Sequence, residues 1–279
     1  MVPRKGIYDL QQSSACERMY DDMQPDVVIH LAAECGGIGA NLAAPGRFFY
    51  ANMAMALHLI EGARIHGIDK FVLVGTTCSY PSDCSVPFAE YDLWRGYPEA
   101  SNAPYGIAKK AAGVMLDAYC RQYGMKAAYV LPANLYGPGD NFDPETSHVI
   151  PAMIRKFAYA VASGEETVEC WGTGRPTREF LYVEDAAEAI VRAAECVDVP
   201  LPINLGTGRS VSMTNLAARI AAAVGYRGEI TWNASYPDGQ AERQLDTQRA
   251  ADLLDWKAQT LLQAGLGQVV QRYLCGALV

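Results

Sequence analysis

The sequence contains no apolar stretch approaching the ~20 uninterrupted residues of a membrane-spanning helix, so no membrane partner is expected. It also lacks a basic surplus: 23 lysines and arginines face 31 aspartates and glutamates, a formal net charge of -8. Such a surface repels polyanions and excludes a nucleic-acid footprint; a phosphorylated ligand would need cations placed locally. The eight cysteines form no C-x-x-C pair and no ladder of spacings, and the first residues have neither the charged nor the apolar region of a secretory leader. Reduced thiols in a cytoplasmic setting are the expectation. The four histidines, His30, His58, His66 and His148, stand at no ligand spacing from one another or from the cysteines, so no metal site is expected.

A further scarcity concerns glycine near the start. A dinucleotide fold usually opens with a strand, a glycine-rich turn and a helix whose N-terminus holds the pyrophosphate, yet residues 1–25 contain the single glycine Gly6. Gly36-Gly37-Ile38-Gly39 follows an apolar run but fits neither G-x-G-x-x-G nor the Walker pattern.

What is present is a chain of 279 residues, half of them apolar, long enough to bury a sizeable core. Short apolar runs at 26–32, 71–75 and 127–131 are of the kind found in strands buried on both faces. Helical stretches lie between and before them, at about 12–23, 46–66 and 104–122, the last two with apolar residues at three- and four-residue steps. This alternation predicts an α/β fold with a doubly wound parallel sheet of Rossmann type, lacking its first βαβ unit. From about Gly137 the texture loosens into Pro/Gly/Asp-rich loops, with short strands near 168–171, 202–205 and 229–232 and a terminal helix from about 260. The expected division is a dinucleotide-binding domain over 1–136 and a smaller, loop-built α/β substrate lobe over 137–279, with some segments returning to the sheet.

Tyr105 and Lys109 form a Tyr-x-x-x-Lys pair just after Pro104, where a helix is expected to begin. Four-residue spacing puts both side chains on one helical face. A phenol of ordinary pKa near ~10 exchanges protons poorly at neutral pH, and an adjacent ammonium favours its phenolate. The pair can thus relay a proton at a carbonyl undergoing hydride transfer. Gly75-Thr76-Thr77-Cys78 sits at the carboxyl end of the preceding strand, where ligands collect in open α/β sheets, and Thr76 could hydrogen-bond the same substrate oxygen. A half-buried tyrosine beside a solvated lysine is the bland alternative.

His30-Leu31-Ala32-Ala33, the Thr76 segment, and Tyr105 with Lys109 together resemble the extended short-chain dehydrogenase/reductases that act on nucleotide sugars. Within that group, Gly36 to Asn41, Asn134 to Phe142, Ser147 to Pro151, and Trp171 to Gly174 with Arg178 to Leu181 resemble the GDP-L-fucose synthase family. The likeness runs from about Asp9 to the C-terminus. It implies epimerisation at carbons 3 and 5 of GDP-4-keto-6-deoxymannose, followed by NADPH reduction of the 4-keto group in the same site. It assigns Cys78 as base and His148 as acid for epimerisation, with Thr76, Tyr105 and Lys109 serving the reduction. Cofactor positions by the same likeness are Asp9, Leu10, Ala32, Ala33, Tyr105, Lys109, Asn134 and His148. Lys156, Trp171 and Arg178 match positions that hold the GDP portion. It further implies a homodimer through the helices at 46–66 and 104–122.

Without a glycine-rich loop, NADP binding is expected to be impaired. Two other activities use similar residues: another nucleotide-sugar epimerase or dehydratase, and a cofactor-defective pseudoenzyme that only binds the sugar nucleotide. Dehydratases place acidic residues shortly after the strand-end hydroxyl, whereas here Cys78 is followed by Ser79-Tyr80-Pro81, which favours the epimerase/reductase. Product formation separates it from the pseudoenzyme.

Overall fold

The computed structural model describes residues 1–144 and 146–276. In its first part, helix α1 (Ser13–Met23) leads to strand β1 (Val27–His30), the short α2 (Ile38–Ala43), the long α3 (Pro45–Ile65) and β2 (Lys70–Val74). After a single 3-10 turn at Thr77–Ser79 and another at Glu90–Trp94 come α4 (Ala103–Tyr123), β3 (Lys126–Pro132) and β4 (Asn134–Tyr136). Then follow α5 (Val149–Ser163), β5 (Thr167–Trp171), β6 (Thr177–Tyr182), α6 (Val183–Cys196), β7 (Pro202–Leu205) and β8 (Ser210–Ser212). The chain continues through α7 (Met213–Val224), β9 (Glu229–Asn233), α8 (Gln248–Leu254) and α9 (Leu262–Leu274).

Strands β1, β2, β3 and β7 lie in that order in one parallel sheet. Successive strand residues point to opposite faces, and Ala127 to Leu131 are all buried, so both faces of β3 are covered. Helices α3 and α4 pack against each other, α4 on β3, while α6 packs on β2 and β3 with α8 behind it. This is the expected doubly wound arrangement, and β7 is a segment from the second half of the chain that returns to the sheet.

Helix α4 starts with Pro104 in its first turn and stops at Gly124, whose φ of +70° suits a residue without Cβ. Its close approach to β3 depends on Gly113, because a Cβ there would meet the Tyr129 ring at 2.7 Å. Strand β1 is shorter than the run 26–32 suggests: Leu31, Ala32 and Ala33 continue beyond the ladder, which ends where His30 pairs with Leu73.

The second half is not built of loops as its texture suggests. Helices α5, α7 and α9 pack around a second apolar cluster that includes Ile154, Phe157, Leu216, Ile220, Leu266 and Val270. In α5, Ile150, Met153, Ile154 and Phe157 recur at three- and four-residue steps and are buried, so one apolar stripe pulls this stretch into a helix. Two small sheets complete the layer, β4-β6-β8 and β5-β9. Among the described residues, no helix is long and apolar enough to cross a membrane.

Segment 241–246 ties the halves together. Thr177 N–H donates to the Ala241 carbonyl at 2.9 Å and Arg243 N–H to Thr177 at 3.2 Å, on the β6 side. On the sheet side, Phe88 N–H donates to Gln244 at 2.7 Å and Asp246 N–H to Phe88 at 3.0 Å.

Candidate active site

The turn after β2 and the first turns of α4 meet at the carboxyl edge of the sheet. The Cys78 N–H donates to Thr76 Oγ1 at 3.2 Å, and Ser79 Oγ donates to the Gly106 carbonyl at 2.9 Å. A Cβ on Gly106 would sit 2.3 Å from the Cys78 carbonyl oxygen, so the missing side chain lets α4 touch this turn. Tyr105, one residue earlier, hydrogen-bonds the Thr76 hydroxyl and has the thiols of Cys78 and Cys35 within electrostatic reach. Burial pushes the Tyr105 phenol far above its ordinary value, and the Thr76 bond works against that rise.

Lys109 lies one helical turn on, buried, with its ammonium donating to the carbonyls of Val74 at 3.2 Å and Ala32 at 3.5 Å. Burial pushes it down to about 8. Among the described residues it forms no salt bridge, and the Cys35 thiol lies within electrostatic reach of it. His30 lies beneath it, its Nδ1 buried without a hydrogen-bond partner. Burial, aided by Lys109, holds that imidazole down at about 3 and therefore neutral.

Two guanidiniums close the other side. Arg243 Nη1 donates to Cys78 Sγ at 3.4 Å, and Arg243 Nε to Gln240 Oε1 at 2.9 Å. Arg178 donates to the carbonyls of Thr177 at 2.8 Å and Asp238 at 3.0 Å. It is pushed down to about 10 by burial first and by Arg243 second, with Cys78 within reach. Neither arginine forms a salt bridge among the described residues, so two cations face the thiol together.

His148 precedes α5 and is exposed. It is joined to the Tyr105 group through a chain of neighbours rather than by a bond: His148 acts electrostatically on Asp140, Asp140 on Cys35, and Cys35 on Tyr105 and Lys109. Gly37 approaches the same stretch, a Cβ on it lying 3.6 Å from the Ser147 carbonyl. Asn41 fixes this glycine loop by donating to Gly36 at 2.9 Å and to Gly37 at 3.1 Å. Gly239 fits between Ile38 and Arg178, which connects the loop to the arginine side.

The remaining expected residues are more widely spread. Trp171 is exposed at the end of β5 and stacked on Tyr236. Lys156 donates to the Glu169 carbonyl, two residues before Trp171, at 2.6 Å. Asn134 donates to the Glu179 carbonyl at 2.8 Å. Asp9 accepts the Gln11 N–H at 3.1 Å, and the Leu10 carbonyl faces His58 Nδ1 at 3.2 Å. Ala33 is exposed. Among the described residues, no hydrogen bond ties Asp9, Leu10 or Ala33 to the Tyr105 group. Cys35, Asp238, Tyr236 and Arg243 have no part in the sequence analysis; each is brought in by a contact between remote segments that no local spacing encodes.

Comparison with known proteins matches residues 6–206 to the NAD dependent epimerase/dehydratase family. The chain is 39% identical over 275 residues to the GDP-L-fucose synthase of Escherichia coli (strain K12), covering 95% of this chain and 85% of that protein. Among solved structures, a GDP-6-OMe-4-keto-L-xylo-heptose reductase from C. jejuni superposes with a TM-score of 0.93 at 27% identity, over 99% of this chain and 90% of that one. A GDP-L-fucose synthetase from Naegleria fowleri bound to NADP gives 0.89 at 26% identity, over 99% and 86%. With identity of this order across nearly its whole length, the protein belongs to the NAD dependent epimerase/dehydratase family and groups there with the GDP-L-fucose synthases.

Proposed function

We propose that the protein epimerises GDP-4-keto-6-deoxymannose at carbons 3 and 5 and reduces the 4-keto group with NADPH, forming GDP-L-fucose. The observation that carries this reading is the grouping of one phenol and two guanidiniums, neither of them in a salt bridge among the described residues, around the Cys78 thiol. A 4-keto group acidifies the protons on its neighbouring carbons, so epimerisation needs a base on one face of the ring and an acid on the other. Cys78 takes the proton and His148 returns one from the opposite side. Tyr105 then protonates the oxygen at carbon 4, Thr76 holds that oxygen by a hydrogen bond, and the Lys109 charge makes the phenol a better acid-base. Arg178, with Arg243 beside it, grips the diphosphate, for which planar guanidinium forks are suited. Lys156 and Trp171 hold the nucleoside end.

The buried Lys109 ammonium, bonded among the described residues to the carbonyls of Val74 and Ala32, suits a ligand rich in hydroxyls, so the nicotinamide half of NADP fits this wall. Tyr105, Lys109, Asn134 and His148 would hold that half, with Ala32, Ala33, Asp9 and Leu10 toward the adenine end. When bound, the cofactor supplies the hydride. No G-x-G-x-x-G occurs in these residues, and we propose that by themselves they hold NADPH weakly. In this division of labour 1–136 serve the cofactor and 137–279 the sugar nucleotide. The exposed Tyr50 and Leu57 on α3 and Val114 on α4 are proposed to meet a second copy in a homodimer.

The test is to incubate the protein with GDP-4-keto-6-deoxymannose in deuterated water, with and without NADPH. Deuterium should enter carbons 3 and 5 even without cofactor, and Cys78→Ala should abolish it. Absence of both deuterium uptake and reduced product would overturn the reading. Low-micromolar NADPH affinity in a titration would refute only the weak-binding part.

A further inference from the structure

Trp171 and Tyr236 stack with ring centroids 4.2 Å apart and planes 4° from parallel. Both rings face solvent, Trp171 being 61% and Tyr236 38% exposed. At that separation nothing fits between them, so Tyr236 covers one face of the indole and leaves the other uncovered. Trp171 ends strand β5 and Tyr236 lies in the turn after β9, and the backbone next to both is pinned. Gly172, at φ +83°, donates to the Asn233 carbonyl at 2.9 Å. The Asp238 carboxylate accepts the Thr173 N–H and hydroxyl, each at 2.7 Å. Asn233 Oδ1 accepts the Ser235 N–H at 3.0 Å and hydroxyl at 2.6 Å, and the Tyr236 N–H donates to the Asn233 carbonyl at 3.3 Å.

The pair also stands in line with the charged wall. Arg178 donates to the carbonyl of Asp238, whose side chain organises the Trp171 turn, and Arg178 neighbours Arg243, which contacts Cys78. Thiol, guanidiniums and aromatic pair therefore follow one another in the order sugar, diphosphate, base.

We infer that Tyr236 is a positioning residue of the nucleobase subsite, its ring backing the Trp171 indole so that the indole's open face is fixed for stacking by the purine of a nucleoside diphosphate. The inference rests on the proposed placement of the GDP portion and adds a residue to it. A flat indole held in one orientation loses less freedom when a base arrives, and offset-stacked aromatic pairs gain beyond their buried area.

The experiment is calorimetric titration of the full chain with GDP and, separately, with inorganic pyrophosphate. Tyr236→Ala should weaken GDP about two- to tenfold and leave pyrophosphate unchanged; Tyr236→Phe should restore GDP affinity. In turnover, KM should rise with kcat unaltered. Unchanged or tighter GDP binding by Tyr236→Ala would overturn the inference, tighter binding meaning that the base displaces the tyrosine. Trp171→Ala separates the two levels. If it weakens GDP while Tyr236→Ala does not, only this inference falls; if it too is silent, the placement of the base falls with it.

Discussion

Glu179 offers the sharpest test of how the fold holds its site. Its carboxylate is almost fully buried, and Oε1 accepts the N–H groups of Thr207 and Gly208, the latter at 2.8 Å. Oε2 accepts the Leu245 N–H at 2.7 Å. Glu179→Gln keeps the shape but carries only one acceptor oxygen. If the amide oxygen stays toward Thr207 and Gly208, the amide NH2 faces the Leu245 N–H, donor against donor. One charge-assisted bond is lost and a buried N–H is left without a partner, together about 2–4 kcal/mol, out of a total stability of ~5–15 kcal/mol. With an m-value near ~3 kcal/mol/M, the urea midpoint should fall by about 1 M. Amide exchange at Leu245 should accelerate first, because segment 241–246 loses a tether to β6. Arg243 rides on that segment, so deuterium incorporation into the keto sugar should slow as well. Unchanged Leu245 protection with an unchanged midpoint would refute the reasoning.

Two further outcomes are expected. Lys109, pushed down to about 8 by burial, should lose its charge as pH rises through that value, so kcat/KM for reduction should fall above about pH 8, close to tenfold per unit. The unfolded chain binds the extra proton between about 8 and the ordinary lysine value of 10.5, so stability should rise across the window in which activity falls; a flat kcat/KM profile to pH 9 would count against the role of this lysine. For the dimer, light scattering should read twice the chain mass and Leu57→Glu should read a monomer with an unaltered circular dichroism spectrum; a monomeric unsubstituted chain would remove the proposed interface.

The parts of the fold that could be read in advance are those whose physics is local. β2 and β3 announce themselves as apolar runs because both of their faces are covered, and α4 because its start at Pro104 and the Tyr105–Lys109 spacing are set within one or two turns. α5 was hidden because its apolar stripe begins inside Ser147-His148-Val149-Ile150-Pro151, a stretch more conspicuous as a motif than as a helix. Strands β4 and β8 are three residues each, too short for a period to show, and they exist only because β6 lies between them. The site divides in the same way. Thr76 and Cys78 lie on the turn after β2, and Tyr105 and Lys109 on α4, the next long helix, whereas Arg243 reaches Cys78 across 165 residues of sequence by way of segment 241–246.

Arg178 and Arg243 lie side by side and largely out of water, and among the described residues neither forms a salt bridge, so each raises the electrostatic energy of the other. A diphosphate placed between them removes a repulsion as well as forming bonds. If the nucleotide seats there as proposed, occupancy and folding are thermodynamically linked, and the ligand is a keystone for the arch that carries it.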